Sequence, residues 1–466
     1  MGSRRMFGSL RYLPSLQAPD EFFYYPPSNT TTLAGFNNRH IAKRLTDYKP
    51  ELIPGLYKYL RKFVCHPTEF SRIEYARTIG DAGKRKYYTD YATALDENRA
   101  RVRSHIMAFT KLEKTGSNKY KAPRLIQARH VTFNIEYGRW LKALEVEITK
   151  RHKLKHRFGK GNYDEIAKRI DKCSKRFRYT TEVDHTEFDA HITREHLELS
   201  HRFYQACYPN SSQVRELSRL TIKNTVRTFQ GDKWTIIGTR MSGDVDTSLG
   251  NSLINYAILS SMLHDTGIHD FEIIVNGDDS ILFTNIPVDV QHMSRIAKHY
   301  NMESKIQPST TNIHQTEFCR TKLVYKPNGT PTMMFNPKRA LDIFGMHYKH
   351  CQIDITYLHQ TSYANSVMHG NTELGNYWYT LSERYATLGK VKEKHYQSHS
   401  LLERKDIIRI LKSPDDCQQW KELTQSMFIA WGEEIHYFKQ HIDKLQPRSP
   451  MFLPIIINHD QKTITK

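Results

Sequence analysis

From Tyr179 onward, short β-branched or apolar runs alternate with longer stretches of helical periodicity. The apolar runs predict strands at Thr180–Val183 and Trp234–Gly238, and a hairpin from Phe271–Asn276 and Ser280–Thr284. Apolar positions three and four apart predict helices over Glu195–Tyr208, Thr247–Met262 and Val290–Tyr300. The last carries Val290, Met293, Ala297 and Tyr300 on one face. Pro327-Asn328-Gly329 is a strong turn signal, so Glu317–Lys326 and Thr332–Phe335 read as the arms of a second hairpin. Ahead of this region, Met1 to about Thr110 has loops rich in Pro and Gly (Pro26, Pro27, Pro54, Gly55) between short helical patterns. A helix-like stretch follows from Asn134 to Thr149. Beyond Pro337 the pattern is mainly helical, clearest over Leu401–Leu411 and Gln418–Phe438, and there is no internal repeat. Strands and helices mixed in this order predict an α+β fold whose central sheet holds the chemistry.

Charge adds the first clue to a partner. The 466 residues have 69 Lys and Arg against 49 Asp and Glu, a net charge of +20. Between Arg101 and Arg178 there are 22 basic and 7 acidic residues, so most of the excess sits in about a sixth of the chain. Such a concentration favours a polyanion, nucleic acid first; a solvated basic face or a surface meeting acidic lipid are the alternatives. Hydrophobic residues at 38% and charged residues at 25% are ordinary for a globular chain. The six cysteines lie far apart without a C-x-x-C pair, which argues against a zinc site or disulfide framework and fits a reducing compartment. No run of 18 apolar residues exists, so no transmembrane segment is expected, and the basic start lacks the apolar stretch of a secretory signal.

The candidate chemistry lies in two acidic elements. Asn276-Gly277-Asp278-Asp279 sits between apolar strands, with Asn-Gly expected as the two-residue turn and positive φ at both positions. Two adjacent aspartates at a tip repel each other, and a divalent cation is the simplest compensation. The alternative is an exposed turn that takes Asn, Gly and Asp for their conformations. Asp184 ends the first strand and Asp189 follows across a short turn; the plainer role for both is to cap the next helix. If that strand lies beside the hairpin, Asp184 can face Asp278, and the carboxylates could hold two Mg²⁺ about 4 Å apart for in-line phosphoryl displacement.

Between these elements, Ser242-Gly243 is expected to make a flexible turn before a helix beginning near Thr247. Thr247 and Asn251 are four apart and share a face, and the Asn251 amide, oriented by Asp189, could read a ribose hydroxyl. N-capping by Asp246 or Thr247, with Asn251 solvated, is equally compatible with the spacing. Upstream, Lys121, Arg124 and Arg129, fixed by Pro123, could present a line of cations to a triphosphate, Arg binding two oxygens at once. A solvated β-edge protected by charge would look the same.

Together the strings K-A-P-R-L-I-Q-A-R (Lys121–Arg129), D-H-T-E-F-D-A-H (Asp184–His191), S-G-D-V-D-T-S-L-G-N (Ser242–Asn251) and N-G-D-D (Asn276–Asp279) resemble the motifs of viral RNA-dependent RNA polymerases. The resemblance is to the tombusvirus-like group of positive-strand RNA viruses, with flavivirus-type polymerases more distant. E-F-C-R-T-K (Glu317–Lys322) resembles the family's primer-grip hairpin, and coverage runs from about residue 105 to 330. The resemblance implies a closed right hand: fingers over 1–179, palm over 180–199 and 234–330, a fingers insertion over 200–233, and a mostly helical thumb over 331–466. It implies Asp184 and Asp278 as Mg²⁺ ligands with Asp279 close by and less direct, Mn²⁺ being able to substitute. Asp189, Ser242, Thr247 and Asn251 would recognise the ribose. Lys121, Arg124 and Arg129 would hold the triphosphate with Lys114 nearby, and Lys305 would protonate the leaving pyrophosphate.

Template and product RNA and ribonucleoside triphosphates are the implied partners, in host cytoplasm at membrane-associated complexes. The chain departs from the family at Ala128, where Pro is usual, which loosens the placement of Arg129. Related replicases often carry a long membrane-targeting region upstream that this sequence lacks, so either attachment comes from a partner such as an anchoring viral replication protein or an overlapping product, or the sequence is a trimmed piece. Two rivals remain: a reverse transcriptase or other palm polymerase, and a non-catalytic RNA-binding or capsid protein.

Overall fold

A computed structural model describes residues 8–12, 22–116, 121–150, 158–345, 347–348, 355–369, 372–387, 423–442 and 453–454. It mixes helices with mostly antiparallel sheets. The basic segment holds strands β1 (Ile106–Thr110) and β2 (Leu125–Arg129), then helices α1 (Val131–Lys150) and α2 (Tyr163–Arg176). Next come β3 (Tyr179–His185), α3 (Arg194–Cys207), β4 (Lys223–Arg227), β5 (Lys233–Ile237) and α4 (Thr247–Asp265). The hairpin β6 (Phe271–Asn276) and β7 (Asp279–Thr284), helix α5 (Val290–His299) and strand β8 (Ser304–Ile306) complete the middle of the chain.

The central sheet has four antiparallel strands in the order β8-β3-β7-β6. It is covered on both faces, which explains why its strands read as continuous apolar runs rather than alternating ones. Strand alternation sends Ile273, Val275 and Leu282 into the core with α4, where Leu253, Ile254, Ala257 and Ile258 are fully buried. Ile274, Ile281 and Phe283 face the other way, onto Ile166, Ala167 and Ile170 of α2. Each such burial contributes roughly 1.5–3 kcal/mol, so the sheet is a rigid platform for what its ends carry.

The strand at 233–237 does not join this sheet. It pairs with β4 in a second sheet of order β2-β1-β4-β5, in which β1 and β4 run parallel. The polar sequence Lys-Asn-Thr-Val-Arg gave no strand signal, because only Asn224 and Val226 turn inward. The expected strand Glu317–Lys326 is likewise two strands, β9 (Glu317–Phe318) and β10 (Thr321–Tyr325), folded on each other across Cys319-Arg320. Both turn residues have positive φ, 51° and 62°, a conformation that Gly, Asn or Asp usually supplies, so no local signal marked it. The turn at Pro327-Asn328-Gly329 leads as expected into β11 (Pro331–Phe335), with Gly329 at φ 79°.

The C-terminal helices α6 (Ile355–Met368), α7 (Glu373–Thr387) and α8 (Gln425–His441) close over Phe344, Trp378, Trp431 and Phe438. Helix α8 starts at Gln425, after extended Thr424; 418–422 and the expected helix Leu401–Leu411 lie outside the described residues. A sheet of five short strands joins Gly8–Tyr12 to Phe22–Tyr24, His347–Tyr348 and Leu453–Pro454, with Thr115–Gly116 beside Phe22–Tyr24. Among the described residues no helix is long and apolar enough to cross a membrane.

Candidate active site

The β6–β7 hairpin carries the acidic tip. Asn276 pairs with Asp279, so the two central turn residues are Gly277 and Asp278, one position later than the expected Asn-Gly. Only Gly277 has positive φ, 66°; a first-position glycine with that sign is what a type II′ hairpin requires. The tip is held from behind by α4. Asn255 Nδ2 donates to the carbonyls of Gly277 (3.0 Å) and Asp278 (3.3 Å), and the Gly277 amide donates to Ser252 Oγ at 2.8 Å. Asn255 Oδ1 is 2.9 Å from Nε2 of buried His185, whose Nδ1 is 2.7 Å from Ser304 Oγ. Since the Asn255 oxygen can only accept, Nε2 carries the ring proton and Nδ1 accepts from Ser304. Burial pushes the His185 imidazole down to about 4, so it stays neutral. These positioning residues were not anticipated; their signal was polar residues at helical spacing on an otherwise apolar helix.

Strand β3 lies directly beside β7. Ser280 pairs with Val183, so the ladder stops one residue short of Asp279 and Asp184, which lie at the same end of the two strands. On its other side Asp184 pairs with Lys305 of β8. The carboxyls share one field. Burial, then the charge of Asp278, raises Asp184 above the usual carboxylate range. Burial raises Asp278, and burial with Asp278 and Asp184 pushes Asp279 up to about 6. Cations oppose this: Lys305 and Lys121 act on Asp184, Arg124 on Asp278, and Arg320 on Asp279. Asp184, Asp278 and Asp279 therefore feel one another and Lys121, Arg124 and Lys305 electrostatically, together with Arg320, which the sequence had not singled out.

Among the described residues no group of three His, Cys, Asp or Glu side chains stands arranged to hold a metal ion. The donor chemistry nonetheless fits one. Carboxylates at a hairpin turn and on the strands beside it, each destabilised as an anion by burial and two of them also by neighbouring carboxylates, are groups that a hard divalent cation would relieve.

Asp189 follows β3 in the short helix Phe188–His191, entered through Glu187 at φ 48°. Asn251 Nδ2 donates to Asp189 Oδ1 at 2.8 Å, so this pair is joined as expected rather than solvated. Burial pushes Asp189 up to about 6, the Asn251 hydrogen bond opposing it. The other two ribose candidates are engaged by the backbone. Ser242 Oγ donates to the Leu125 carbonyl (2.9 Å) and accepts from the Gln127 amide (3.1 Å). A Cβ on Gly243 would stand 2.6 Å from the Gln127 oxygen, so this turn is latched onto β2 rather than flexible. The Thr247 hydroxyl donates to Asp244 O at 2.8 Å and Met241 O at 3.1 Å, closing the loop on itself.

The expected line of cations does not form. Arg124 precedes β2 and is exposed, whereas alternation along β2 turns Arg129 inward with Leu125 and Gln127. Arg129 points inward, buried against Asp244 (2.5 and 3.3 Å) and Asn224 Oδ1 (2.6 Å), and so is a structural ion pair rather than a triphosphate ligand. Lys121 and Arg124 remain exposed, Arg124 sharing Glu113 (3.2 Å) with Lys111. Lys114 sits beside Arg339, and burial with that charge pushes its ammonium down to about 7.

With this geometry established, comparison with known proteins decides the family. Residues 42–392 match the family model described as viral RNA-dependent RNA polymerase. The chain belongs to that family. It is similar to the RNA-directed RNA polymerase of Cucumber necrosis virus, 27% identical over 73% of this chain and 44% of the relative. It is also similar to those of Oat chlorotic stunt virus (28%, covering 71% and 47%) and Tomato bushy stunt virus strain Cherry (28%, covering 69% and 41%). The chain spans less than half the length of these relatives.

Proposed function

We propose that the chain copies RNA from ribonucleoside triphosphates, replicating a positive-strand viral genome. The observation that carries this is that Asp184 and the 278–279 hairpin tip lie at the same end of adjacent strands, within the electrostatic reach of Lys121, Arg124 and Lys305. Asp184 and Asp278 would hold two Mg²⁺ ions, or Mn²⁺, with Asp279 beside them. Bound there, the metal supplies charge that lowers the pKa of a primer 3′-hydroxyl and offsets that of pyrophosphate.

The 3′-oxygen bonds to the α-phosphorus as the bond to the bridging β-phosphate oxygen breaks, and the hydroxyl proton passes to solvent. Lys121 and Arg124 draw in and orient the triphosphate, and Lys305, opposite Asp184, gives a proton to the departing pyrophosphate. Asp189 and Asn251 present an acceptor and a donor to the ribose 2′-hydroxyl. On this proposal the sheet of β3, β6, β7 and β8 is a palm, the sheet of β1, β2, β4 and β5 belongs to fingers, and α6–α8 form a thumb. RNA would pass along the basic segment, gripped by its backbone. The setting would be host cytoplasm, with an anchoring viral partner holding the complex at membranes.

The test is Mg²⁺-dependent elongation of a primed template, comparing NTP with dNTP. Asp278→Asn should lose at least about 10²-fold in rate, removing a metal ligand being worth several kcal/mol of transition-state stabilisation. RNA binding should change little. Normal elongation by that variant, or preferred use of dNTP, contradicts the proposal.

A further inference from the structure

Behind Asn251 lies a fully buried ion pair that the proposed chemistry does not use. Arg240 has no exposed side-chain surface and Asp246 1%; Arg240 Nη1 reaches Asp246 Oδ2 at 2.8 Å. Tyr204, from α3, donates its hydroxyl to the same oxygen at 2.8 Å. Arg240 Nε donates to Asn251 Oδ1 at 3.0 Å, and the Arg240 backbone amide donates to the Asp189 carbonyl at 2.9 Å. One residue therefore grips both members of the Asp189–Asn251 pair.

Such an ion pair is a poor device for stability alone. Desolvating two charges offsets much of their attraction, and well-packed apolar residues often do as well. Here Arg240 Nη2 and Asp246 Oδ1 are buried without hydrogen-bond partners, which adds to the cost. The helix is shaped around the guanidinium: a Cβ on Gly250 would collide with Arg240 Nη2 and lie 2.9 Å from the Tyr204 hydroxyl. A glycine inside a helix costs up to about 1 kcal/mol against alanine, yet only glycine admits Arg240 at this point.

We infer that Arg240, anchored by Asp246 and Tyr204, is a positioning residue that fixes the orientation of the Asn251 amide and thereby sets selection of ribose over deoxyribose. The inference rests on the proposal that Asp189 and Asn251 meet the 2′-hydroxyl. Because the Asn251 oxygen accepts from Arg240, its nitrogen must face Asp189, one N–H bonded there and the other left to donate. The hydroxyl that fits accepts from Asn251 and donates to Asp189. A ribose 2′-hydroxyl can do both at once, and a deoxyribose offers neither. Without Arg240 the amide loses one of its two restraints, and the donor is no longer held in place.

The experiment measures kcat/KM for an NTP and its 2′-dNTP on one primed template, for the wild type and three variants. Arg240→Lys keeps the charge beside Asp246 but lacks the fork that spans Asp246 and Asn251. Tyr204→Phe removes only the anchoring hydroxyl and serves if the first variant fails to fold. Asn251→Ala reports on the underlying proposal. Expected are a fall of about tenfold in the NTP/dNTP ratio for Arg240→Lys, equivalent to about 1.4 kcal/mol, a smaller fall for Tyr204→Phe, and a fall for Asn251→Ala. A structural role alone lowers both substrates together and leaves the ratio intact. If Asn251→Ala collapses the ratio while Arg240→Lys and Tyr204→Phe preserve it, the role of Arg240 is overturned and ribose recognition stands. If Asn251→Ala preserves it, ribose recognition itself fails and the inference with it.

Discussion

At the scale of single residues the site is defined by carboxyls that burial holds above the ordinary aspartate range. Asp279 and Asp189 titrate near 6 in the folded chain, against about 4 for an ordinary aspartate. Between those values the folded state binds protons that the unfolded state has released. The metal-free protein therefore loses this contribution to stability as pH rises from about 4 to 6. On the proposed reading, Mg²⁺ would bind the ionised carboxylates and oppose that loss. Thermal unfolding should show Mg²⁺ stabilisation at pH 7 that shrinks below pH 6 and is absent in Asp278→Asn; stabilisation independent of pH would contradict this. The buried imidazoles run the other way. His185, His196 and His369 lie near 4, so the unfolded chain takes up protons first as pH falls below about 6.5. Stability from this source is complete above that value and is lost progressively toward pH 4. The acidic residues themselves were legible because a G-D-D between apolar runs is a local pattern. Their supports, His185, Ser252 and Asn255, were not, because each acts on a residue far along the chain.

At the scale of elements, turns and strand parity decide which side chains reach the site. The latch between Ser242-Gly243 and β2 leaves no room at Gly243, where an added Cβ meets the Gln127 carbonyl at 2.6 Å and Ala128 Cα at 2.9 Å. Gly243→Ala should cost about 1–3 kcal/mol in chemical denaturation through that overpacking. It should also raise KM for nucleotide, by displacing the loop that leads into Asn251. The Cys319-Arg320 turn holds two non-glycine residues at positive φ beside Asp279. Arg320→Gly should relieve about 1 kcal/mol of backbone strain and raise stability, while slowing elongation by removing a cation from the carboxyls. Unchanged turnover would show that the strain serves no function. The same parity explains Arg129. In sequence it continues a run of cations, but alternation along β2 turns it inward with Leu125 and Gln127, and its partner Asp244 enters from a loop 115 positions away.

At the scale of the whole molecule, the hairpin of β6 and β7 and helices α3, α4 and α5 followed from local periodicity, the hairpin because both faces of the central sheet are covered and its two apolar runs are unbroken. What periodicity could not show was assembly: the sheet that β5 joins, and the sheet that brings Gly8–Tyr12 beside His347–Tyr348 and Leu453–Pro454. Those pairings are long-range, and their short strands have little periodicity to detect. The net charge of +20 acts at this scale as well. About three phosphate contacts along a single strand should lower RNA affinity roughly twentyfold between about 50 and 200 mM salt, and an affinity insensitive to salt would contradict a backbone grip.

Paired metal binding is the most direct measure of the whole account. Mn²⁺ titration by electron paramagnetic resonance, on the chain with primed template and a non-hydrolysable NTP, should count two ions per chain. Asp184→Asn and Asp278→Asn should each lose at least one. Full occupancy in both variants would place the metal elsewhere and contradict a catalytic centre built on these strands.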